Sequence, residues 1–182
     1  MVKKPMRYYR IPLLCLLVML CAMRSALAAP HVINPLKVAY IYNIAKFTRW
    51  PAEIWTSPTA PFQLCFYAKE SVEKELQTLQ KKEINGHPIA LLEPEDEQDF
   101  KQCHALYIDS KERHRYRYLL SLINQQTVLI ISDDSPFFDY GGLFNLVEKD
   151  QRLRFQVSTQ QLSQSQLKFS SKLLKLAIMV DN

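Results

Sequence analysis

The chain has 182 residues and a formal net charge of +5 at pH 7. Of its 23 Lys and Arg residues, five lie in the first 28 positions, where no Asp or Glu occurs, so the remaining 154 residues carry 18 basic and 18 acidic side chains. A neutral domain has no overall field to attract a polyanion, which excludes general nucleic-acid binding. Its length suits one domain with a full hydrophobic core.

The first 28 residues have the pattern of a cleaved secretory signal. A basic segment precedes an apolar run from Ile11 to Ala22, and Ala26-Leu27-Ala28 fits a signal peptidase site. The run is about half the roughly 20 residues that a membrane span needs. An uncleaved anchor is the alternative. We therefore predict a signal peptide at residues 1–28 and a mature, exported domain at residues 29–182 that does not span the membrane.

Helical and strand patterns alternate along the mature chain. The Asn34-Pro35 pair predicts the start of an amphipathic helix that ends before Pro51. The predicted elements that follow, in chain order, are a strand (62–68), a helix (71–80), strands (88–92 and 103–108), a helix (111–123), a strand (127–131), a hairpin (142–147 and 153–157), a short helix capped by Ser158 and a last helix (167–180).

This order of elements predicts the fold class. Strands separated by helices imply right-handed crossovers and a mainly parallel sheet. The continuous apolar run at residues 127–131 is typical of a central strand. Only three glycines occur, which argues against an all-β fold. We predict a single α/β domain of three layers, with a mainly parallel sheet and an edge hairpin near the C-terminus.

Three acidic residues follow predicted strands and form the one candidate metal site. Asp109 comes after the third strand, and Asp133 and Asp134 come after the fourth. Carboxylates at the carboxyl ends of parallel strands could converge and hold Mg²⁺ or Ca²⁺. The alternative, which the pattern favours, is that they cap the following turns. The sequence has no glycine-rich phosphate loop, no nucleophile elbow and no zinc-ligand spacing, so we predict neither catalysis nor a cofactor.

Two apolar segments are candidates for contact with a partner protein. The candidate residues are Phe47, Arg49, Trp50 and Trp55 in the first segment, and Leu143 and Phe144 in the second. Trp and Arg are enriched at interface hot spots. The alternatives are that Trp50 closes the core at a helix end and that the second segment is an edge hairpin tucked onto the sheet.

The predicted last helix carries a basic stripe. Lys168, Lys172 and Lys175 recur at helical spacing on the side opposite its apolar residues. Such a stripe could meet an acidic partner or anionic lipid headgroups. A solvated helix face is the more common alternative.

Several segments together resemble the YfiR-type family of periplasmic proteins. They are LKVAYIYNIAKFTRWP at residues 36–51, the strands FQLCFY and CHALYI, and GGLFNLV, RLRFQV and LKFSSKLLKLA towards the C-terminus. The resemblance extends over residues 34–180. It implies a periplasmic, Rossmann-like (flavodoxin-like) domain that forms homodimers and is not an enzyme.

The resemblance also implies a function. Such proteins repress an inner-membrane diguanylate cyclase by binding its periplasmic region, which lowers cyclic di-GMP and biofilm formation. The alternative function is that of a periplasmic module that senses a small ligand or a metal ion.

The mature chain has two cysteines, Cys65 and Cys103. In an oxidising compartment two cysteines most often pair, and two free buried thiols are the alternative. The resemblance implies that they pair, and in a flavodoxin-like strand order their strands are neighbours. Residues 141–157 contain no cysteine, so the second disulfide of some relatives has no counterpart here. We expect a structural bridge rather than a redox switch.

Overall fold

The computed structural model of the protein describes residues 33–68 and 70–181. The predicted signal peptide at residues 1–28 lies outside the described residues. The six α-helices of this part are α1 (Ile33–Lys46), α2 (Glu70–Leu76), α3 (Glu97–Phe100), α4 (Tyr116–Ser121), α5 (Thr159–Gln164) and α6 (Ser171–Leu174). Short 3₁₀ helices lie at Ala52–Ile54, Gln77–Lys81, Ser110–Arg115 and Ser135–Tyr140.

The strands form one large sheet and one small sheet. They are β1 (Thr48–Arg49), β2 (Phe62–Tyr67), β3 (Glu83–Ile84), β4 (His87–Leu92), β5 (Ala105–Ile108), β6 (Leu129–Ser132), β7 (Phe144–Lys149), β8 (Arg152–Ser158), β9 (Lys168–Phe169) and β10 (Ile178–Val180). The eight-stranded sheet has the order β10-β8-β7-β6-β5-β2-β4-β3, and β1 pairs with β9 separately.

The large sheet is mainly parallel, as predicted. Strands β4, β2, β5, β6 and β7 run parallel in that spatial order, which is the flavodoxin-like 2-1-3-4-5 arrangement. In the β7–β8 hairpin, β8 is antiparallel to β7 and lies beyond the five parallel strands, near the edge as expected, although β10 rather than β8 forms that edge. Strands β5 and β6 lie at the centre and are fully buried, which explains their continuous apolar sequences.

The predicted last helix at residues 167–180 is wrong. This segment forms β9, the four-residue helix α6 and β10. Ser170 begins α6, since its hydroxyl accepts a hydrogen bond from the Leu173 amide at 3.2 Å. The run Ile178–Val180 then pairs with the outer edge of β8. An apolar run that includes β-branched residues fits an edge strand as well as a helix, and tertiary pairing decides between them.

Three smaller predictions need adjustment. The helix predicted at 111–123 begins with a 3₁₀ turn, and α4 occupies only Tyr116–Ser121. The strand predicted from Cys103 begins at Ala105. The helix predicted at 71–80 consists of α2 and a following 3₁₀ helix.

Candidate functional site

A groove of about 600 Å³ lies between α1, β8 and α6. Its apolar lining consists of Tyr40, Ile44, Phe47, Phe155, Leu173 and Leu176. Successive turns of α1 and the residue after it form one part of this lining, β8 contributes Phe155, and α6 with the turn after it contributes the two leucines. The groove is therefore assembled from residues more than 130 positions apart.

The floor of the groove is fixed by packing. The Tyr40 ring meets Phe155 edge-on at a centroid distance of 6.1 Å, and its hydroxyl donates a hydrogen bond to the carbonyl of Leu153 at 2.7 Å. The mouth is more open. Phe47 is 42% exposed and Leu176 is 69% exposed, which makes them two of the most exposed large apolar side chains in the described part of the protein.

The rim of the groove is basic. Arg154, Lys172 and Lys175 line it, and no Asp or Glu does. Within residues 33–68 and 70–181, none of these three cations has an ion pair. The adjoining cavity adds Arg152, also without an acidic lining residue. We call these four residues, with Arg49 and Lys168, the basic rim.

Arg49 and Lys168 extend the basic rim along the small sheet. They lie directly opposite each other in the antiparallel β1–β9 pair, and both are exposed. The backbone amide of Ser170 donates to the carbonyl of Phe47 at 3.0 Å, which ties this sheet to the mouth of the groove. Like charges in directly opposed positions repel each other, so the pair favours a nearby anion.

Of the six predicted contact residues, only Phe47 lines this groove, and Arg49 lies two positions further along in β1. Trp50 is 9% exposed; its indole nitrogen donates to the carbonyl of His104 at 3.0 Å, and its ring packs edge-on against Phe62 at 4.9 Å. Trp50 thus closes the core.

Leu143 and Phe144 are buried, with 1% and 0% exposure. The Phe144 ring packs against Phe155 and Phe169. Neither side chain is exposed in this structure, which fits the alternative of a tucked hairpin, and their contact with a partner stays a prediction.

Trp55 lies in a separate aromatic cluster at the amino ends of β2, β4 and β5. Its ring stacks on His87 at 3.6 Å and lies 4.7 Å from His104. The Nδ1 atom of His104 accepts a hydrogen bond from the Gln63 amide at 2.8 Å. Burial is the main reason that the pKa of His104 is lowered below its ordinary value. Trp55 is half-buried here and does not line the groove.

The three acidic candidates for a metal site are engaged by protein donors. Asp109 accepts from the Lys111 amide at 2.9 Å, as a turn-capping residue does. Asp133 pairs with Lys37 and accepts from the Ser110 amide at 2.6 Å. Asp134 binds Arg113 through both carboxylate oxygens, at 2.6 and 2.7 Å. No group of three or more His, Cys, Asp or Glu residues in the described part could hold a metal ion. The geometry thus favours turn caps and ion pairs.

The comparison with protein families decides the identity of the domain. The model of the YfiR/HmsC-like family matches residues 34–178. The chain belongs to this family. A search of curated proteins finds no match.

Among solved structures, this YfiR/HmsC-like protein is similar to a conserved domain protein from Vibrio cholerae O1 biovar eltor. The TM-score is 0.53 and the sequence identity is 10%, over 81% of this chain and 60% of that chain. The match therefore covers less than two thirds of the Vibrio chain. At this identity the likeness shows the α/β fold alone.

The disulfide expected for a member of this family is present. Cys65 and Cys103 are bonded; their Cα atoms are 5.6 Å apart, and the sequence separation is 38. Cys65 is fully buried in β2, and Cys103 is 5% exposed just before β5, the neighbouring strand. No helix in the described part of this YfiR/HmsC-like protein is both long and apolar enough to cross a membrane.

Most residues that line the groove were not predictable from the sequence as members of a site. The lysine stripe drew attention to Lys172 and Lys175, but placed them on a long helix that does not form. Tyr40, Arg154 and Leu176 gave no separate signal, because their importance depends on β8 lying beside α1 and α6.

Proposed function

We propose that this protein is a periplasmic regulatory binding protein that represses an inner-membrane diguanylate cyclase through the periplasmic region of that enzyme. Repression lowers cyclic di-GMP and biofilm formation. The protein acts by binding and not by catalysis. Membership of the YfiR/HmsC-like family, the disulfide and the pattern of an export signal support this proposal. The same resemblance supports a homodimer as the acting form. Light scattering of the purified protein would measure its mass in solution and so test this expectation.

The observation that carries the proposal is the groove with its basic rim. Its apolar interior offers Phe47 and Phe155 to an incoming side chain, and its rim carries three cations that form no ion pair within the described residues. A segment of the cyclase that presents an apolar side chain would fill this interior, and well-packed buried apolar contacts of this kind carry much of the binding energy of an interface.

Repression requires that the complex discriminate between two states of the cyclase. The repressor must bind the inactive state more tightly than the active one, because equal affinity shifts no equilibrium. About 1.4 kcal/mol of difference changes the ratio of the two states tenfold. Burial of one large apolar side chain in the groove supplies energy of that order.

In-cell crosslinking of the tagged protein, followed by mass spectrometry of membrane partners, tests the proposal. We expect reproducible capture of one diguanylate cyclase. Phe47→Ser should reduce this capture, because it removes the exposed ring at the mouth of the groove. Tyr118→Ser is the matched control, since Tyr118 is an aromatic residue with 57% exposure that does not line the groove. If no membrane cyclase is captured under any growth condition, the proposal is wrong and a ligand-sensing role takes its place.

A further inference from the structure

We propose that the basic rim and Leu176 form a second binding surface, which docks the protein on an anionic phospholipid membrane. The groove interior and the rim then have different roles. The interior receives a protein segment, and the rim meets the lipid headgroups beside that segment.

The distribution of charge is the first observation. In the described domain three cations line the groove, a fourth lines the adjoining cavity, and Arg49 and Lys168 oppose each other on the small sheet that is tied to the groove mouth. They lie on β1, β8, β9, α6 and the turn after α6, and neither lining includes an acidic residue. Yet residues 29–182 are neutral overall. The positive charge is therefore local, and it draws on separate elements rather than on the periodic face of a single solvated helix. Each cation near an anionic bilayer adds a favourable interaction that salt weakens.

The exposure of the apolar residues is the second observation. Leu176 is 69% exposed, which is the highest value among the large hydrophobic side chains in the described part, and it lies next to Lys175. Met179, at 46%, follows on β10. Leu176 lines the groove, yet most of its side chain still presents apolar surface to the surroundings.

The combination of these observations favours lipid as the occupant of the rim. Surfaces that bind at a bilayer interface join exposed apolar residues, which enter the headgroup boundary, to Lys and Arg, which contact phosphates. Lys172 and Lys175 have long apolar stems, and within the described residues neither forms an ion pair, so their ammonium groups are free to reach a headgroup beside Leu176.

Vesicle co-sedimentation tests this proposal with protein purified from the periplasm of expressing cells. The probes are vesicles of phosphatidylethanolamine with phosphatidylglycerol, and neutral vesicles of phosphatidylcholine. We expect binding to the first and not to the second, with loss of binding at high salt. Lys172→Glu/Lys175→Glu should lower the partition coefficient by about tenfold or more. Leu176→Ser should lower it several-fold without changing the salt dependence.

The matched control is Lys74→Glu/Lys81→Glu, which reverses two exposed lysines on α2 and the following 3₁₀ helix. This control should bind as the wild type does. In a second variant, Lys172→Gln/Lys175→Gln, vesicle binding should fall between that of the wild type and that of the Glu variant. Thermal midpoints equal to that of the wild type show that each variant is folded.

Three results would overturn the proposal. They are equal binding to both vesicle types, an equal loss in the control pair, and no binding at all. If the protein binds no vesicle but Lys172→Glu/Lys175→Glu reduces crosslinking to the cyclase, the rim belongs to the protein interface and lipid docking is wrong. Capture of the cyclase tests the groove separately, so the two proposals fail independently.

Discussion

At the scale of single residues, the bond between Cys65 and Cys103 ties the start of β5 to the middle of β2. It closes a loop of 38 residues and removes entropy from the unfolded chain. We predict that Cys65→Ala/Cys103→Ala lowers the free energy of unfolding by about 4 kcal/mol. Urea unfolding measures this loss.

Reduction provides the control for the disulfide. A thiol reductant should destabilise the wild type by a comparable amount and leave the alanine variant unchanged. If the double variant is as stable as the oxidised wild type, the bridge is not structural.

His104 gives a prediction for pH dependence. Burial is the largest influence on the pKa of the His104 ring, and in the folded state it lowers this pKa below the ordinary 6.5. The unfolded chain therefore binds a proton at a higher pH than the folded chain does, so this residue costs stability as pH falls below about 6.5. We predict that His104→Asn flattens the decline of unfolding free energy on the acid side of 6.5, because the Asn side-chain oxygen still accepts from the Gln63 amide without taking up a proton.

Urea unfolding across that pH range measures the effect. His114→Asn is the matched control, since His114 is exposed and should leave the slope unchanged. Identical slopes for the wild type and His104→Asn would contradict this account.

At the scale of elements, Gly142 allows the chain that enters β7 to pack closely against the 3₁₀ helix Ser135–Tyr140. A Cβ atom at this position would overlap the ring of Phe137, which is fully buried and packs against Tyr116 at 5.0 Å. We predict that Gly142→Ala costs about 1–3 kcal/mol of stability, because the ring has no room to move. Thermal unfolding or urea unfolding measures this cost.

Gly86 offers the comparison. Its φ is +88°, but no atom lies within 4 Å of an added Cβ. Asn tolerates positive φ better than most residues do, so Gly86→Asn should cost less than about 1 kcal/mol. Equal losses for the two variants would mean that steric overlap at Gly142 is not the cause.

The sequence predicts these elements unequally well. The parallel strands are predictable because each is a short apolar run between polar turns, and their alternation with helices leaves few allowed strand orders. The strands after Leu167 are not predictable, because Lys168–Phe169 and Ile178–Val180 become strands only by pairing with β1 and β8. Local periodicity carries no information about such distant partners.

At the scale of the whole molecule, the candidate site was only partly predictable. Phe47 and Arg49 stand out in sequence as an aromatic and a basic residue near a helix end; Phe47 lines the groove, and Arg49 lies on the small sheet that is tied to its mouth. Trp50 is also an aromatic residue near that helix end, but its side chain is buried and its indole nitrogen donates to the His104 carbonyl. The groove itself requires three elements to meet at one end of the sheet, which no local pattern specifies.

A repressor of a diguanylate cyclase lowers cyclic di-GMP in its own cells, and we predict this effect for the protein. The most direct test is the intracellular cyclic di-GMP concentration in a deletion strain that is complemented with the wild type, Phe47→Ser or Tyr118→Ser at equal periplasmic levels. We expect deletion to raise the concentration, and the wild type and Tyr118→Ser to restore it. Phe47→Ser should fail to restore it. An unchanged concentration on deletion would contradict the central claim that the protein represses a diguanylate cyclase.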